Sequence, residues 1–331
     1  MPETAIAPPD PLQKVLITGG AGFIGAAVAR ALLRRGTPVV VLDQRAPVLQ
    51  DSGDPIVGAQ FVSVDVLDAL GIARAMRDHA PARLVHTAAI VGAGLSIDAP
   101  VRTVTTNVVG LVNVLEAARM FGIGRTVFVS SQSVYGPGRY EPVDEKHPTD
   151  PDSPYGVTKL ASEKLGNVYH SCFGLDFVSL RMAHIYGPGR PGGLRGNFIQ
   201  EMLEAAQTGA RFTMNRGGEQ TKEPSHIADV AAAVCAALDV APDRLEERVF
   251  NVGSGEVFTW NQIAAVIRGM YPSAQLELGP GFIEVRSGVR EQLLGPLDCR
   301  RAEQVLGVSA RYRLRDGLSQ FAQWLERKRG H

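Results

Sequence analysis

Cysteine is scarce in this sequence, which has three cysteines among 331 residues, at Cys172, Cys235 and Cys299. Three cysteines so far apart exclude a disulfide framework and a cysteine-rich metal site, so we predict that the protein holds no metal. Few, unpaired cysteines are typical of reducing compartments, and we expect this protein in the cytoplasm.

An excess of charge of either sign is also missing, because 34 Lys and Arg residues balance 34 Asp and Glu residues. A neutral chain offers no basic surface for nucleic acid and no acidic tail for a basic partner, so we predict neither. The longest apolar runs are strand-sized and interrupted by glycine, proline or charge, which argues against a membrane span. Residues 1–12 lack the parts of a signal peptide and predict a disordered extension.

Hydrophobic residues make up 45% of the chain, enough for a large core and for two domains or one domain with a lobe. In the first half, short apolar strand patterns alternate with amphipathic helical patterns. This alternation predicts an α/β fold with a doubly wound parallel sheet. The predicted strands are 15–18, 39–42, 61–64, 83–86, 126–130 and 177–180, and the predicted helices are 26–35, 70–79, 101–120 and 155–172.

The alternation ends after Arg181, where residues 187–193 are mostly glycine and proline. Helical patterns with weaker strand signals follow. We therefore predict a sheet domain over 13–182 and a smaller C-terminal α/β lobe over 183–331. The lobe is expected to bind substrate, with some of its segments returning to the sheet.

A glycine-rich turn follows the first predicted strand, where residues 18–25 read TGGAGFIG before a helical pattern. Without side chains at Gly19 and Gly22, the backbone turns sharply and approaches a pyrophosphate, while Gly25 lets the helix pack closely on the strand. The free N–H groups of a helix N-terminus favour an anion. The turn therefore predicts a dinucleotide site.

Two acidic residues follow at the ends of the next predicted strands. Asp43 lies about 20 residues past the glycines, where a carboxylate accepts hydrogen bonds from the adenosine ribose. It would repel a 2′-phosphate, which favours NAD over NADP, although Arg45 nearby would soften that preference. Asp65 is placed to bind the adenine amino group. Both residues also fit ordinary structural roles, Asp43 as a turn residue and Asp65 as a helix N-cap.

Tyr155 and Lys159 are four residues apart in a predicted helix, so both side chains project from the same face. An ammonium beside a phenol favours the phenolate, which is a general base. Ser131 follows the strand 126–130 at the sheet edge where ligands bind, and it would hydrogen-bond a substrate oxygen. An exposed helical pair and an ordinary turn serine are the structural alternatives.

These motifs together resemble the NAD-dependent epimerase/dehydratase branch of the extended short-chain dehydrogenase/reductase superfamily, which acts mostly on nucleotide sugars. The resemblance covers nearly the whole chain and implies a Rossmann fold. It rests on residues 18–25 (TGGAGFIG), Asp43, 65–66 (DV), 86–89 (HTAA), 107–110 (NVVG), 130–136 (SSQSVYG), 155–159 (YGVTK), 181–189 (RMAHIYGPG) and 251–255 (NVGSG).

The resemblance implies that Ser131, Tyr155 and Lys159 are the catalytic residues and that 13–182 binds NAD. Asn107 resembles a helix-kinking residue beside the cofactor, and Ala183 one that flanks the nicotinamide. The implied cofactor site comprises Gly19, Gly22, Phe23, Ile24, Asp43, Asp65, Val66, Thr87, Ala88, Asn107, Tyr155, Lys159 and Ala183.

The implied chemistry is oxidation of a sugar hydroxyl by hydride transfer to NAD. The 4,6-dehydratases of the superfamily typically carry Asp-Glu where this chain has Gln132 and Ser133, so dehydration is disfavoured. The serine motif resembles that of sugar 4-epimerases. An NAD-dependent dehydrogenase of a free sugar, sugar acid or small alcohol is the alternative, and a non-catalytic NAD-sensing protein is a third.

The substrate residues implied by the resemblance are Ser131, His184, Asn197, Lys222 and Arg286. His184 and Lys222 replace an asparagine and an arginine that are common in nucleotide-sugar enzymes, although both still donate to phosphate. A nucleotide sugar is therefore favoured over a free sugar. Related proteins are often homodimers that pair two helices from each subunit, and we expect the same here through 101–120 and 155–172.

Overall fold

A computed structural model describes residues 13–45, 56–189, 197–286, 289–290 and 294–329, with backbone alone at 285, 286, 289 and 290. The predicted extension 1–12 lies outside the described residues. The strands are β1 Val15–Thr18, β2 Val39–Asp43, β3 Gln60–Ser63, β4 Arg83–His86, β5 Arg125–Ser131, β6 Asp176–Met182, β7 His184–Tyr186, β8 Arg211–Met214, β9 Thr221–Lys222, β10 Pro224–His226, β11 Val249–Val252, β12 Phe258–Thr259, β13 Gln275–Leu278, β14 Glu284–Arg286 and β15 Val289–Arg290.

Seven of these strands form one parallel sheet in the order β11-β6-β5-β4-β1-β2-β3. The chain moves outward from β1 to β3, returns to β4, and continues to the other edge. This arrangement confirms the predicted doubly wound sheet. The reversal lies between β1 and β4, and ligands of such sheets bind at the carboxyl ends of the strands beside it.

The α-helices connect and cover these strands, and their limits agree closely with the predicted ones except in one case. The predicted helix 101–120 consists of an α-helix Pro100–Val104, a π-helical turn Thr105–Val109 and an α-helix Gly110–Met120. The α-helices are α1 Phe23–Arg34, α2 Ala69–His79, α3 Ala93–Asp98, α4 Pro100–Val104, α5 Gly110–Met120, α6 Pro154–Phe173, α7 Phe198–Thr208, α8 Ile227–Asp239, α9 Trp260–Met270, α10 Arg300–Leu306 and α11 Leu314–Arg329.

The sheet is covered by apolar side chains on both faces. Because successive residues of a strand point to opposite faces, Val15 and Ile17 join the cluster formed with α1 and α8, whereas Leu16 joins the cluster formed with α2 and α5. All three side chains are fully buried. This two-sided burial explains why the strands read as continuous hydrophobic runs.

A third apolar cluster is built from α7, α9 and α11 around the buried side chain of Trp260. Two-stranded pairs, β8 with β13 and β9 with β12, lie in the same part of the chain. The late strand β11 returns to the main sheet and pairs with β6. The limits 13–182 and 183–331 stay a prediction. Among the described residues, no helix is long and apolar enough to cross a bilayer.

Candidate functional site

The glycine-rich turn between β1 and α1 brings backbone atoms unusually close together. Gly19 has a φ of +68°, and a Cβ on it would lie 2.6 Å from the backbone nitrogen of Ala88. A Cβ on Gly25 would lie 2.4 Å from the carbonyl oxygen of Gly19. Both positions therefore require glycine, and α1 begins directly against the end of β1.

The N-terminus of α1 is open at this turn. Gly22 is its N-cap, and no side chain caps the helix. Phe23 and Ile24 are its first two residues and pack, partly buried, against the cluster that covers this face of the sheet. Uncapped N–H groups and the helix dipole favour an anion here, which fits the diphosphate of a dinucleotide.

Asp43, at the end of β2, lies beside the glycine turn. Its Oδ2 accepts a hydrogen bond from the backbone nitrogen of Ala21 at 3.2 Å, and its Oδ1 accepts one from that of Arg45 at 3.2 Å. A carboxylate has further lone pairs after two such bonds. The turn role and the predicted ribose role are therefore compatible in one side chain.

A cavity of about 510 Å³ opens beside Asp65, and its lining includes Gln44, Leu67, Arg102 and Thr106. This volume lies within the range of small-molecule pockets. Asp65 also orders its own loop by accepting a hydrogen bond from the backbone nitrogen of Leu67 at 2.9 Å. The cavity lies at the carboxyl ends of β2 and β3, where the adenosine half of the dinucleotide is predicted.

Asn107 lies inside the π-helical turn that interrupts the predicted helix. Its Oδ1 accepts from the backbone nitrogen of Ile90 at 2.8 Å, and its Nδ2 donates to the Ile90 carbonyl oxygen at 3.0 Å and to Thr158 Oγ1 at 3.0 Å. Val66, another of the predicted cofactor residues, is buried, and its carbonyl oxygen accepts a hydrogen bond from Asn113 Nδ2 at 3.0 Å. Asn107 therefore ties the loop after β4 to α6.

Asp43→Asn is expected to weaken NAD binding by roughly tenfold, because it removes a charge-assisted acceptor worth about 1.5 kcal/mol. NADP binding should be unchanged or improved, since the repelling charge is gone. Calorimetric titration of the apoprotein with each dinucleotide measures both. Asp78→Asn, at an exposed carboxylate of α2, is the control, and an unchanged NAD-to-NADP affinity ratio in Asp43→Asn would contradict the ribose role.

Thr87, Ala88 and Ala183, predicted to line the cofactor cleft, follow the ends of β4 and β6. The Oγ1 of Thr87 donates to the carbonyl oxygen of the last residue of β1 at 2.8 Å and to that of Gly19 at 3.1 Å. Ala183 is 7% exposed, and its backbone nitrogen donates to the carbonyl oxygen of Val252 at 3.0 Å. All three belong to the edge that carries the glycine turn.

The structure brings Ser131, Tyr155 and Lys159 together where β5 ends and α6 begins. The Ser131 side chain lies close enough to the Tyr155 phenol to lower its pKa. Ser131 Oγ also donates to Ser133 Oγ at 3.1 Å. The Nζ of Lys159 lies 5.8 Å from the centroid of the Tyr155 ring and donates to the carbonyl oxygen of Val129 at 2.7 Å. A phenol, a hydroxyl and an ammonium thus share one buried corner.

Burial disfavours the charged form of both Tyr155 and Lys159. It raises the pKa of Tyr155 to about 12, although the nearby Ser131 side chain opposes the rise. It lowers the pKa of Lys159 to about 7, although Glu163 opposes the fall. The phenol of the chain by itself therefore stays neutral at pH 7. A further positive charge favours the phenolate, and an oxidised nicotinamide carries one.

Among the predicted substrate residues, His184 contacts the Trp260 ring, and Asn197 and Lys222 lie in segments that reach Trp260 or its neighbours. The ring of His184 meets the Trp260 ring edge-on, with centroids 5.8 Å apart. Phe198, the neighbour of Asn197, meets it with centroids 5.3 Å apart. Lys222 lies in β9, which pairs with β12 directly before Trp260. Three segments far apart in sequence therefore converge on one aromatic ring.

The Asn197 side chain is engaged in a hydrogen bond, and Arg286 is described only by its backbone. Asn197 is 3% exposed, and its Nδ2 donates to Gln200 Oε1 at 2.6 Å, so its amide nitrogen is engaged at the start of α7. The backbone of Arg286 ends β14, but its side chain lies outside the described part of the chain. Their assignment to substrate stays a prediction.

Sequence reasoning missed two buried carboxylates next to the site. Glu163 is 1% exposed and lies one turn after Lys159, so the helical spacing carried a signal for it. Glu223 is 3% exposed and accepts hydrogen bonds from the backbone nitrogens of Gly255 at 2.8 Å and Leu297 at 2.9 Å. Burial raises the pKa of Glu223 to about 7. Its partners come together only in the folded chain.

A second cavity, of about 500 Å³, lies between α8 and α10, and its lining includes none of the predicted site residues. The described residues also contain no group of three or more His, Cys, Asp and Glu side chains arranged to hold a metal ion. The corner formed by Ser131, Tyr155 and Lys159, beside the glycine turn, is therefore the candidate active site.

Comparison with known proteins identifies the family of this chain. The family model described as "NAD dependent epimerase/dehydratase family" matches residues 15–253. UDP-glucose 4-epimerase of Mycolicibacterium smegmatis is 31% identical over 96% of this chain and 99% of its own. The structure of Thermus thermophilus UDP-glucose 4-epimerase in complex with NAD has a TM-score of 0.83 at 29% identity and covers 95% of this chain and 99% of its own.

A further structural relative is UDP-glucose 4-epimerase of Thermotoga maritima with UDP-glucose, which has a TM-score of 0.84 at 26% identity. It covers 95% of this chain and 99% of its own. These matches cover the glycine turn, the sheet and the corner formed by Ser131, Tyr155 and Lys159. The chain is therefore an enzyme of the NAD dependent epimerase/dehydratase family, with NAD as its cofactor.

Proposed function

We propose that this protein is a nucleotide-sugar epimerase that acts at C4 of the sugar. The observation that carries the proposal is the contact of Tyr155 with Ser131, one helical turn from Lys159, at the edge that holds the glycine turn. The likeness to UDP-glucose 4-epimerases over almost the whole chain supports the substrate class.

Each residue of the site has a separate role in the reversible oxidation of the sugar hydroxyl. NAD, when bound, supplies the reversible hydride acceptor. Tyr155 Oη takes the proton of the sugar hydroxyl and returns one when the reaction reverses. Ser131 Oγ donates to the same sugar oxygen as it becomes a carbonyl, and Lys159 supplies positive charge next to the phenolate. Epimerisation follows when the bound ketone turns over before it is reduced.

The residues beside Ser131 favour epimerisation over dehydration. Elimination of water needs an acid and a base near the sugar in addition to the tyrosine. Gln132 and Ser133 occupy the two positions that follow Ser131, and neither side chain titrates in the working range. Ser133 Oγ instead accepts a hydrogen bond from Ser131 Oγ at 3.1 Å, which Ser131 exchanges for the bond to the sugar oxygen in the proposed reaction. The keto intermediate is therefore reduced again rather than dehydrated.

The test is to incubate the purified protein with UDP-glucose, UDP-galactose and UDP-glucuronate and to follow the sugars by proton NMR and NADH by absorbance at the same time. We expect at least one substrate to convert to its C4 epimer with no net accumulation of NADH. Stoichiometric, continuing NADH formation with every active substrate would overturn the proposal and favour the dehydrogenase alternative.

We further propose that the enzyme is a homodimer. The outer faces of α4 and α6 carry large apolar side chains in solvent, including Val101, Val168 and Phe173, whose exposures are 79%, 50% and 54%. Exposed apolar residues concentrated on neighbouring helices are typical of subunit interfaces. These helices overlap the two segments, 101–120 and 155–172, through which the sequence predicts dimerisation.

Val168→Glu is expected to convert the dimer to a monomer at micromolar concentration, because it would place a carboxylate in the centre of an apolar interface. Light scattering after size-exclusion chromatography measures the mass. Val57→Glu, at a valine 75% exposed in a loop, is the matched control. A monomeric wild-type protein would contradict the proposal, and so would a Val168→Glu variant that stays dimeric.

A further inference from the structure

Glu163 is a buried carboxylate that the proposed reaction does not use directly. It lies on α6, one turn beyond Lys159 and two turns beyond Tyr155, and it is 1% exposed. A buried carboxylate is unfavourable unless it is paired and hydrogen-bonded. The residues that pair with Glu163 therefore indicate its role.

The partners of Glu163 come from the neighbouring strands β5 and β6. Ser130 Oγ donates to Glu163 Oε1 at 2.6 Å. Arg181 donates through Nε to Oε1 at 3.0 Å and through Nη2 to Oε2 at 2.7 Å, which is a bidentate pair. Ser130 and Arg181 face each other in the register of β5 and β6. Glu163 therefore fastens α6 to the strand residue immediately before Ser131.

Arg181 is itself held in one position. Its guanidinium carbon lies 4.7 Å from the centroid of the Tyr135 ring, and its Nη1 donates to the carbonyl oxygen of Glu145 at 3.4 Å. The Tyr135 hydroxyl donates to Asn251 Oδ1 at 2.6 Å. Because these contacts fix the Arg181 guanidinium, it balances the charge of Glu163 and cannot move towards Lys159.

Lys159 needs a nearby negative charge in order to stay protonated. Burial lowers its pKa, and Glu163 is the charged group that opposes this shift. On the side of β4, the buried His86 has a pKa lowered to about 3, by burial and by the charge of Lys159, so it is neutral at pH 7. Tyr155 is neutral in the chain by itself, and from β5 the lysine meets a carbonyl oxygen and the ring of Phe128.

We propose that Glu163 is a positioning residue that keeps the Lys159 ammonium charged and fixes the Ser130–Ser131 strand end beneath Tyr155, with Arg181 as its counter-charge. One carboxylate thus couples the geometry of the catalytic serine to the charge beside the catalytic tyrosine. The inference rests on the proposed function only where it assigns the Lys159 charge to the support of the Tyr155 phenolate.

The direct test is to titrate Lys159 by NMR in protein with 13C-labelled lysine side chains, without NAD or substrate. The chain has six lysines, so the signals are resolvable, and Lys159→Arg assigns the one in question. Glu163→Gln should lower the pKa of Lys159 by about one unit, because an opposing charge is lost. Glu116→Gln, at a half-exposed glutamate that also accepts from a tyrosine, should leave it unchanged.

Glu163→Gln leaves the buried Arg181 without a counter-charge and threatens folding. The double variant Glu163→Gln with Arg181→Met removes both charges and should restore stability while Lys159 still titrates at lower pH. A folded double variant with an unchanged Lys159 pKa would overturn the proposal. So would a wild-type Lys159 that carries no proton at pH 6, a result that needs no variant.

The pH profile of the reaction separates this inference from the proposed function. The ammonium is lost as pH rises through the pKa of Lys159, so a pKa lowered by about one unit leaves roughly tenfold fewer charged molecules at pH 8. We expect kcat of the double variant to fall in that proportion, with little change in KM. If no nucleotide sugar is converted, the proposed function fails, while the NMR titration still decides the role of Glu163.

Discussion

Tyr155→Phe is expected to lower kcat for sugar interconversion by about 10² to 10⁴, which is the usual contribution of a positioned general acid–base. The tyrosine ring is 8% exposed, and phenylalanine keeps its packing, so the loss should come from the hydroxyl alone. Without that hydroxyl, Ser131 has no phenol partner and nothing takes the proton of the sugar. The measurement is the steady-state rate of C4 interconversion with the preferred nucleotide sugar.

NAD binding and thermal stability should be nearly unchanged in Tyr155→Phe, which separates a catalytic loss from an unfolded protein. Tyr140→Phe is the matched control, because the Tyr140 ring is 45% exposed and its hydroxyl bonds to Asp144 on the surface. A Tyr155→Phe variant within a few-fold of the wild-type kcat would exclude the phenol as the base. Loss of kcat in both variants would point to a nonspecific effect.

Gly25→Ala is expected to weaken NAD binding by roughly 5- to 150-fold, because overpacking costs about 1–3 kcal/mol and each 1.4 kcal/mol is a factor of ten. The added Cβ would lie 2.4 Å from the carbonyl oxygen of Gly19 and 2.7 Å from the Cα of Gly20. Both atoms are backbone, so the turn itself must move. Calorimetric titration of the apoprotein with NAD measures the change.

Gly269→Ala is the control for this prediction. Gly269 lies near the end of α9, and a Cβ there would meet no atom within 4 Å. Alanine should therefore be neutral or stabilise the helix by up to about 1 kcal/mol. Equal NAD affinity in Gly25→Ala and wild type would show that the turn does not need its close packing in order to hold the dinucleotide.

The parts of the fold that could be predicted from the sequence are those set by neighbouring residues. The strand 15–18, the glycine turn and the start of α1 form one continuous segment, whose pattern and backbone demands are local. Tyr155 and Lys159 share a helix, so their spacing alone places them on one face. The doubly wound parallel sheet follows because alternating strands and helices allow few topologies.

The features that could not be predicted depend on contacts between distant residues. The helix 101–120 is interrupted by a π-helical turn that contains Asn107, whose side chain bonds to Ile90 and Thr158; only the family resemblance, and no local pattern, pointed to a distortion there. The role of Glu163 required the register of β5 with β6. The surroundings of Trp260 required three segments to meet, which no local pattern encodes.

The return of β11 to the main sheet has a consequence for folding autonomy. A fragment ending at residue 182 would leave β6 without β11 on its outer side, and main-chain groups such as the Ser179 nitrogen, which now donates to the Arg248 carbonyl oxygen, would face solvent. Such an unprotected edge is a template for association with other chains. We therefore expect a fragment excised at that point to associate with other chains, because the seven-stranded sheet is complete only when the chain extends to Val252.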